Sequence, residues 1–157
     1  MIKNEIVVHP VAYVRNSRTS LNDDEWGSVT SEVVIDKSLP EECLDGLETF
    51  SHVEILFYFD KVSDSQKFSM SRHPRDNKDW PQVGIFAQRN KDRPNHVGLS
   101  IAHIIKREGR SLFVQGLDAV NGTPIIDIKP VMVEFLPREN IDQPEWSHEL
   151  MKNYWKS

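Results

Sequence analysis

The chain has 157 residues, 38% of them hydrophobic, a formal net charge of −5 and a single cysteine. That length argues for one domain burying about two thirds of its extended surface, the lone Cys43 excludes an internal disulfide, and the acidic balance argues against a generic nucleic-acid binder. No run approaches the apolar length that crosses a bilayer, and the opening MIKNEIVVHP lacks the charged and apolar regions of a signal peptide, so a soluble, cytoplasmic protein is expected.

Ile6 to Val14 reads as a first strand, although Ile6, Val8, Pro10 and Ala12 oppose Val7, Val11 and Tyr13 less cleanly than strict alternation requires. Arg15 to Gly27 is a polar loop. Its acidic cluster Asp23-Asp24-Glu25 invites a metal reading, but consecutive loop side chains need not converge and no histidine lies nearby; a solvated loop or a dimer contact is the better reading, with no metal expected. β-branched content makes Val29 to Ile35 a second strand. Pro40 to Leu47 is a short helix, with proline in its first turn and Gly46 near its end. Cys43 has neither an activating base nor metal-ligand spacing and reads as an inert thiol. His52 to Phe59 is the most apolar strand and is placed centrally, with His52 a buried, hydrogen-bonded histidine rather than a base.

Phe68 to Pro81 has no periodicity and is a long loop, a feature that is usually functional or mobile. Trp80 within it is read as packing beneath the loop. From Lys67 to Arg93 the local charge is +4, against −9 for the remainder. Such a basic island is the footprint of a phosphate or carboxylate contact, and equally of a solvated loop of mixed charge.

The densest mixture of glycine, proline and polar residues lies between Val83 and Pro130, the character of loops that do chemistry on a rigid sheet. Gly84 to Ala87, Gln88 to Asn95 and Val97 onward give strand, loop, strand. Along Val97, Leu99, Ile101, His103 and Ile105 every second position is apolar except the histidine, while Gly98, Ser100 and Ala102 are small; one side is expected to be buried and the small side closely approached. Glu108-Gly109 marks a hairpin, Leu112 to Leu117 the returning strand, Asn121-Gly122 a second turn, and Ile125 to Ile128 a further strand closed by Lys129-Pro130. These turns would bring Arg89, Arg93, Asn95, Asp118, Asp127 and Lys129 toward strand ends, where they either converge or form exposed ion pairs. Finally, Pro144 to Tyr154 reads as a helix whose face Trp146, Leu150, Met151 and Tyr154 closes one side of the barrel or seals a dimer.

Several of these stretches share a known pattern. Phe86-Ala87-Gln88-Arg89, Arg93-Pro94-Asn95 followed by Val97-Gly98-Leu99-Ser100, Asn121-Gly122-Thr123-Pro124, Asp127-Ile128-Lys129-Pro130 and the upstream Phe50-Ser51-His52 occur in the order in which they occur in the TsaA-like, TrmO-type family of SAM-dependent methyltransferases. The chain resembles that family over roughly residues 6 to 136. The resemblance implies a small, mainly β protein built on an antiparallel barrel, one domain with a helix near residues 144–155, and S-adenosylmethionine as cofactor. It also implies a homodimer with the cofactor near the subunit interface, and N6-methylation of threonylcarbamoyl-modified adenosine in tRNA.

Carried over by motif, Arg89, Leu99 and the segment Gln115, Gly116, Leu117 and Asp118 match cofactor-lining positions, and Asp60 and Lys61 fall where another cofactor contact is expected. Arg72, Arg75, Lys91 and Arg93 are the candidates for guiding a polyanionic substrate. The chain departs from the pattern in four ways. Asn22 to Gly27 stand where a proline-arginine-glutamine element is usual, His96 replaces proline, Asn121 replaces aspartate and Val131 replaces tyrosine. A smaller methyl acceptor, or a SAM-binding dimeric module without transfer, therefore stands beside tRNA methylation. No catalytic dyad is visible, and methyl transfer from a sulfonium needs none, because alignment and a water-poor pocket supply most of what it requires. A late proton acceptor, if used, would be Asp118 or Asp127.

Overall fold

The structure, a computed structural model, describes residues 4–63 and 69–157. Lys67 and Phe68, which open the basic stretch and the long loop, lie outside the described residues. The strands in chain order are β1 (Ala12–Arg15), β2 (Thr30–Ile35), β3 (His52–Tyr58), β4 (Ser71–Arg72), β5 (Val83–Gly84), β6 (Val97–Glu108), β7 (Ser111–Gln115) and β8 (Pro124–Pro130), followed by helix α1 (Glu145–Met151). Six of them close an antiparallel barrel in the order β1-β2-β7-β6-β3-β8, and β4 pairs with β5 in a separate ribbon. Closure leaves the barrel itself no open edge. β3 is central as expected, paired with β6 on one side and β8 on the other.

The interior is filled by alternate residues of every strand: Ala12 and Val14, Val33 and Ile35, Val53, Ile55 and Phe57, Leu112 and Val114, and Ile125 are all buried. β6 answers with its small residues. Gly98, Ser100 and Ala102 point inward, whereas Leu99, Ile101, His103 and Ile105 are exposed, the reverse of what large and small residues on one strand suggest. The reason is volume. Gly98 lies opposite Phe57 across the β3–β6 ladder, and a Cβ at Gly98 would run into the Phe57 ring. A six-stranded barrel is narrower than the eight-stranded kind whose lumen side chains just fill, so one strand must contribute little bulk.

Other elements depart from expectation for local reasons. The first strand begins at Ala12, and Ile6, Val7 and Val8 are exposed, because β2 and β8 pair with β1 only from Ala12 onward. The helix expected over Pro40 to Leu47 is two 3-10 turns, Glu41–Leu44 and Leu47–Thr49, since Gly46 between them takes φ +89°, which a helix cannot continue through. Gly84 to Ala87 is the end of β5 and a 3-10 turn rather than a strand. His52 is half-buried rather than buried, with Ser51 Oγ 2.7 Å from its Nδ1 and its ring edge-on to His103.

α1 stops at Met151, so Tyr154 lies beyond the helix rather than on its face. Trp80 fastens the helix to the long loop: its Nε1 donates to Glu149 Oε2 at 2.7 Å and its ring packs near Trp146. The chain after α1 then runs along the loop that follows β1, where the amides of Glu25, Trp26 and Gly27 donate to the carbonyls of Asn153, Tyr154 and Lys156 at 3.2, 2.8 and 3.3 Å. That loop is held by Arg18, which donates to the carbonyls of Asn22, Asp24 and Glu25 and stacks over Trp26 at 4.1 Å. Among the described residues no helix is long and apolar enough to cross a membrane.

Gly98→Ala is expected to cost about 1–3 kcal/mol through overpacking. In a Phe57→Leu background the same change costs less, because contacting residues do not act additively. Urea denaturation of the two singles and the double reads both effects.

Candidate functional site

Arg89 lies in the loop between the 3-10 turn Ile85–Ala87 and β6, and its Nη2 donates to the Leu99 carbonyl at 2.5 Å. One residue on, Ser100 turns inward and its Oγ donates to Asp118 Oδ1. The other oxygen of that carboxylate, Oδ2, accepts from Tyr154 Oη. Asp118 belongs to the segment leaving β7, which is anchored on either side by the buried Leu117 and Ala119. Three of the expected positions, Arg89, Leu99 and Asp118, are thus brought to one end of the barrel. Ser100 and Tyr154 join them without having been foreseen.

The rest of the expected segment is engaged nearby. Gln115 Nε2 donates to the Gly27 carbonyl at 3.0 Å, and the Trp155 ring sits 3.8 Å from where a side chain at Gly116 would begin. Asp60 and Lys61 pair with each other at 3.5 Å rather than with Arg89 or Asp118. Asp127 does not converge with Asp118 either. It is ion-paired with Lys129 at 2.7 Å, a bond that raises the lysine's pKa, and it lines a different cavity. That removes it as a proton acceptor at this site.

The charges around the group are ordered. Arg75 takes Asp24 in a two-pronged pair at 2.8 and 3.2 Å and reaches Asp23 at 3.6 Å, so the acidic loop is solvated at Asp23 and Glu25 but tied to the long loop through Asp24. Its pKa is raised, first by the hydrogen bond to Asp24 and then by the charges of Asp24 and Asp23. Tyr154 is also pushed up, well above the usual phenol value: burial is the largest cause, followed by the Asp118 charge and the hydrogen bond to it, with Arg89 acting the other way. It is therefore a neutral donor at any physiological pH. Of the residues expected to guide a polyanion, Arg72 is paired with Asp92 at 3.2 Å and Arg93 donates to the Gln88 carbonyl at 3.1 Å, while Lys91 is exposed.

A separate cavity of about 580 Å³ opens among Val11, Leu44, Leu47, Phe50 and Ile128. It gathers apolar side chains and few groups that could orient a polar ligand, so the convergence of charge and hydrogen bonding at Arg89, Ser100, Asp118 and Tyr154 is the stronger site. Among the described residues no three of His, Cys, Asp or Glu are grouped to hold a metal.

Comparison with known proteins agrees with this architecture. A human tRNA (adenine(37)-N6)-methyltransferase is 39% identical over 114 residues, 73% of this chain and 25% of that protein. A probable S-adenosyl-L-methionine-binding protein of Methanothermobacter thermautotrophicus is 35% identical over 132 residues, covering 80% of this chain and 90% of that one. The crystal structure of TrmO from Pseudomonas aeruginosa superposes with a TM-score of 0.66 at 25% identity, over 90% of this chain and 64% of that one. The chain spans about a quarter of the length of the mammalian relatives it matches. Residues 13–135 match the model of the tRNA-methyltransferase O N-terminal domain, and the chain belongs to that family.

Proposed function

We propose that this chain is an S-adenosylmethionine-dependent methyltransferase domain that transfers a methyl group to N6 of an adenosine in tRNA, with the threonylcarbamoyl-modified base as acceptor. The observation that carries the reading is the meeting of Arg89, the β6 strand at Leu99 and Ser100, and Asp118 at one end of a closed barrel. The family supplies the reaction class, and relatives named for S-adenosylmethionine binding and for tRNA adenine methylation support it. An RNA acceptor makes the cytoplasm the expected location. Barrel and docked helix are read as one domain, the core at about 6–136 and the helix near 144–155.

The residues fit the cofactor's chemistry. Arg89 spends one of its five N–H donors on Leu99 and is otherwise exposed, which leaves it able to hold a carboxylate. Asp118 receives two hydroxyl donors, yet each of its oxygens keeps lone pairs for ribose hydroxyls or an adenine amino group. When bound, the cofactor supplies an electrophilic methyl group on sulfur with a neutral thioether to leave. The protein has only to align that bond with the incoming nitrogen, about 3–3.5 Å away, and keep water out. Asp118 is the carboxylate proposed to accept a proton released late.

The exposed stripe Leu99, Ile101 and Ile105 on β6 is the surface proposed to pair two copies of the chain, placing the Arg89 site beside the interface. A second reading is favoured by the ion pairs of Arg72 and Arg75. With those two guanidinium groups occupied, the basic island offers little to a polyphosphate, and a smaller acceptor in the same site becomes the alternative.

Calorimetric titration with S-adenosylmethionine is expected to show at least about tenfold weaker binding for Arg89→Ala and for Asp118→Ala. Asp127→Ala should bind within about twofold of the unaltered protein, because its ion pair with Lys129 serves another place. Transfer of a labelled methyl group to bulk tRNA should fall on Lys91→Glu and decline steeply with added salt; salt-insensitive transfer confined to a metabolite extract would favour the smaller acceptor. Sedimentation of Ile101→Glu is expected to give monomer where the unaltered chain gives dimer.

A further inference from the structure

Residues 152–157 lie beyond the stretch that matches the family model, yet they are docked on the candidate site. Their carbonyls take the amides of Glu25, Trp26 and Gly27. The contact at Gly27 is so close that a Cβ there would collide with the Trp155 carbonyl. From this seat Tyr154 delivers its hydroxyl to Asp118 Oδ2, while Ser100 holds Oδ1 from the opposite side. A carboxylate gripped at both oxygens is restrained from swinging, and each oxygen keeps a lone pair for a ligand.

We propose that Tyr154 is a positioning residue of the cofactor site: residues 152–157 form one of its walls, and the Tyr154 hydroxyl fixes the Asp118 carboxylate in the orientation that receives the ligand. The proposal rests on the S-adenosylmethionine reading given above. A segment that served only to seal the barrel end could do so with apolar contacts, and Trp155 already supplies one over Gly116. A half-buried phenol set against a carboxylate instead spends its hydroxyl on one specific partner. The charged groups that bear on Tyr154 are Asp118, Asp23 and Arg89, with Arg75 in reach, and their net effect together with burial keeps the hydroxyl protonated as a donor.

Tyr154→Phe removes one oxygen and keeps the ring, so the test is calorimetric titration of the full chain with S-adenosylmethionine. The variant is expected to bind about tenfold more weakly while melting within about 2 °C of the unaltered protein. Tyr154→Phe combined with Asp118→Asn should bind no more weakly than Asp118→Asn alone, since the hydroxyl acts through that carboxylate. Gly27→Ala, which forces residues 152–157 off their seat without touching either side chain, should show a loss like that of Tyr154→Phe. An absorbance titration needs no cofactor: one of the three tyrosines should resist ionisation above about pH 10, and Tyr154→Phe should abolish that resistant fraction. Equal affinity of Tyr154→Phe and the unaltered protein, or losses that multiply in the double variant, overturn the inference and leave the cofactor site standing. Failure of the unaltered protein to bind S-adenosylmethionine overturns both.

Discussion

The constraint on which the rest of this structure depends is the narrowness of a six-stranded barrel. Side chains from β1, β2, β3, β7 and β8 already fill the interior, and the Phe57 ring leaves no room for a Cβ opposite it. β6 therefore turns Gly98, Ser100 and Ala102 inward, with Ile104 its one bulky inward residue, and sets Leu99, Ile101 and Ile105 outward. Two features of the candidate site follow from that one inversion. Ser100, being small and polar, reaches Asp118 across the end of the barrel. Leu99, Ile101 and Ile105, denied a place in the core, form an exposed apolar stripe beside the Arg89 site.

The second organising feature is the set of loops that the chain after β8 ties together. α1 is clamped to the long loop through Trp80, and the residues after it are laced to the loop that follows β1, which Arg18 holds in shape. Arg75 crosses from the long loop to Asp24. Loops distant in sequence thus meet around Asp118, each fixed by a polar group that would be costly to leave unpaired. A site that must hold a flexible cofactor in one pose gains from such rigid surroundings, because less ordering is left to occur on binding.

Much of this could be read from the residues. Turn chemistry at Glu108-Gly109 and Asn121-Gly122 and the apolar run of β3 gave the strands their places, and the ordered motifs pointed to Arg89 and Asp118 as a candidate site. What stayed hidden were properties of the closed barrel rather than of any segment. The facing of β6 was misjudged because alternation tells which residues share a side, not which side is inside. Among the described residues Ile6 to Val8 have no partner strand beside them, so the first strand is shorter than its apolar residues suggest. Arg72 and Arg75 looked like free cations because their partners, Asp92 and Asp24, are 20 and 51 residues away. Tyr154 looked like one stripe of a helix; only the helix ending at Met151 frees it to reach Asp118.

The central claim is that the ligand is gripped where Arg89, β6 and Asp118 meet, and not in the apolar cavity among Leu44, Phe50 and Ile128. Amide chemical-shift mapping during titration with S-adenosylhomocysteine tests it most directly. The expected result is a set of shifts confined to Arg89, Leu99, Ser100 and Gln115 to Asp118, with Tyr154 moving in step. Shifts centred on Leu44, Phe50 and Ile128, or none at saturating ligand, would contradict it.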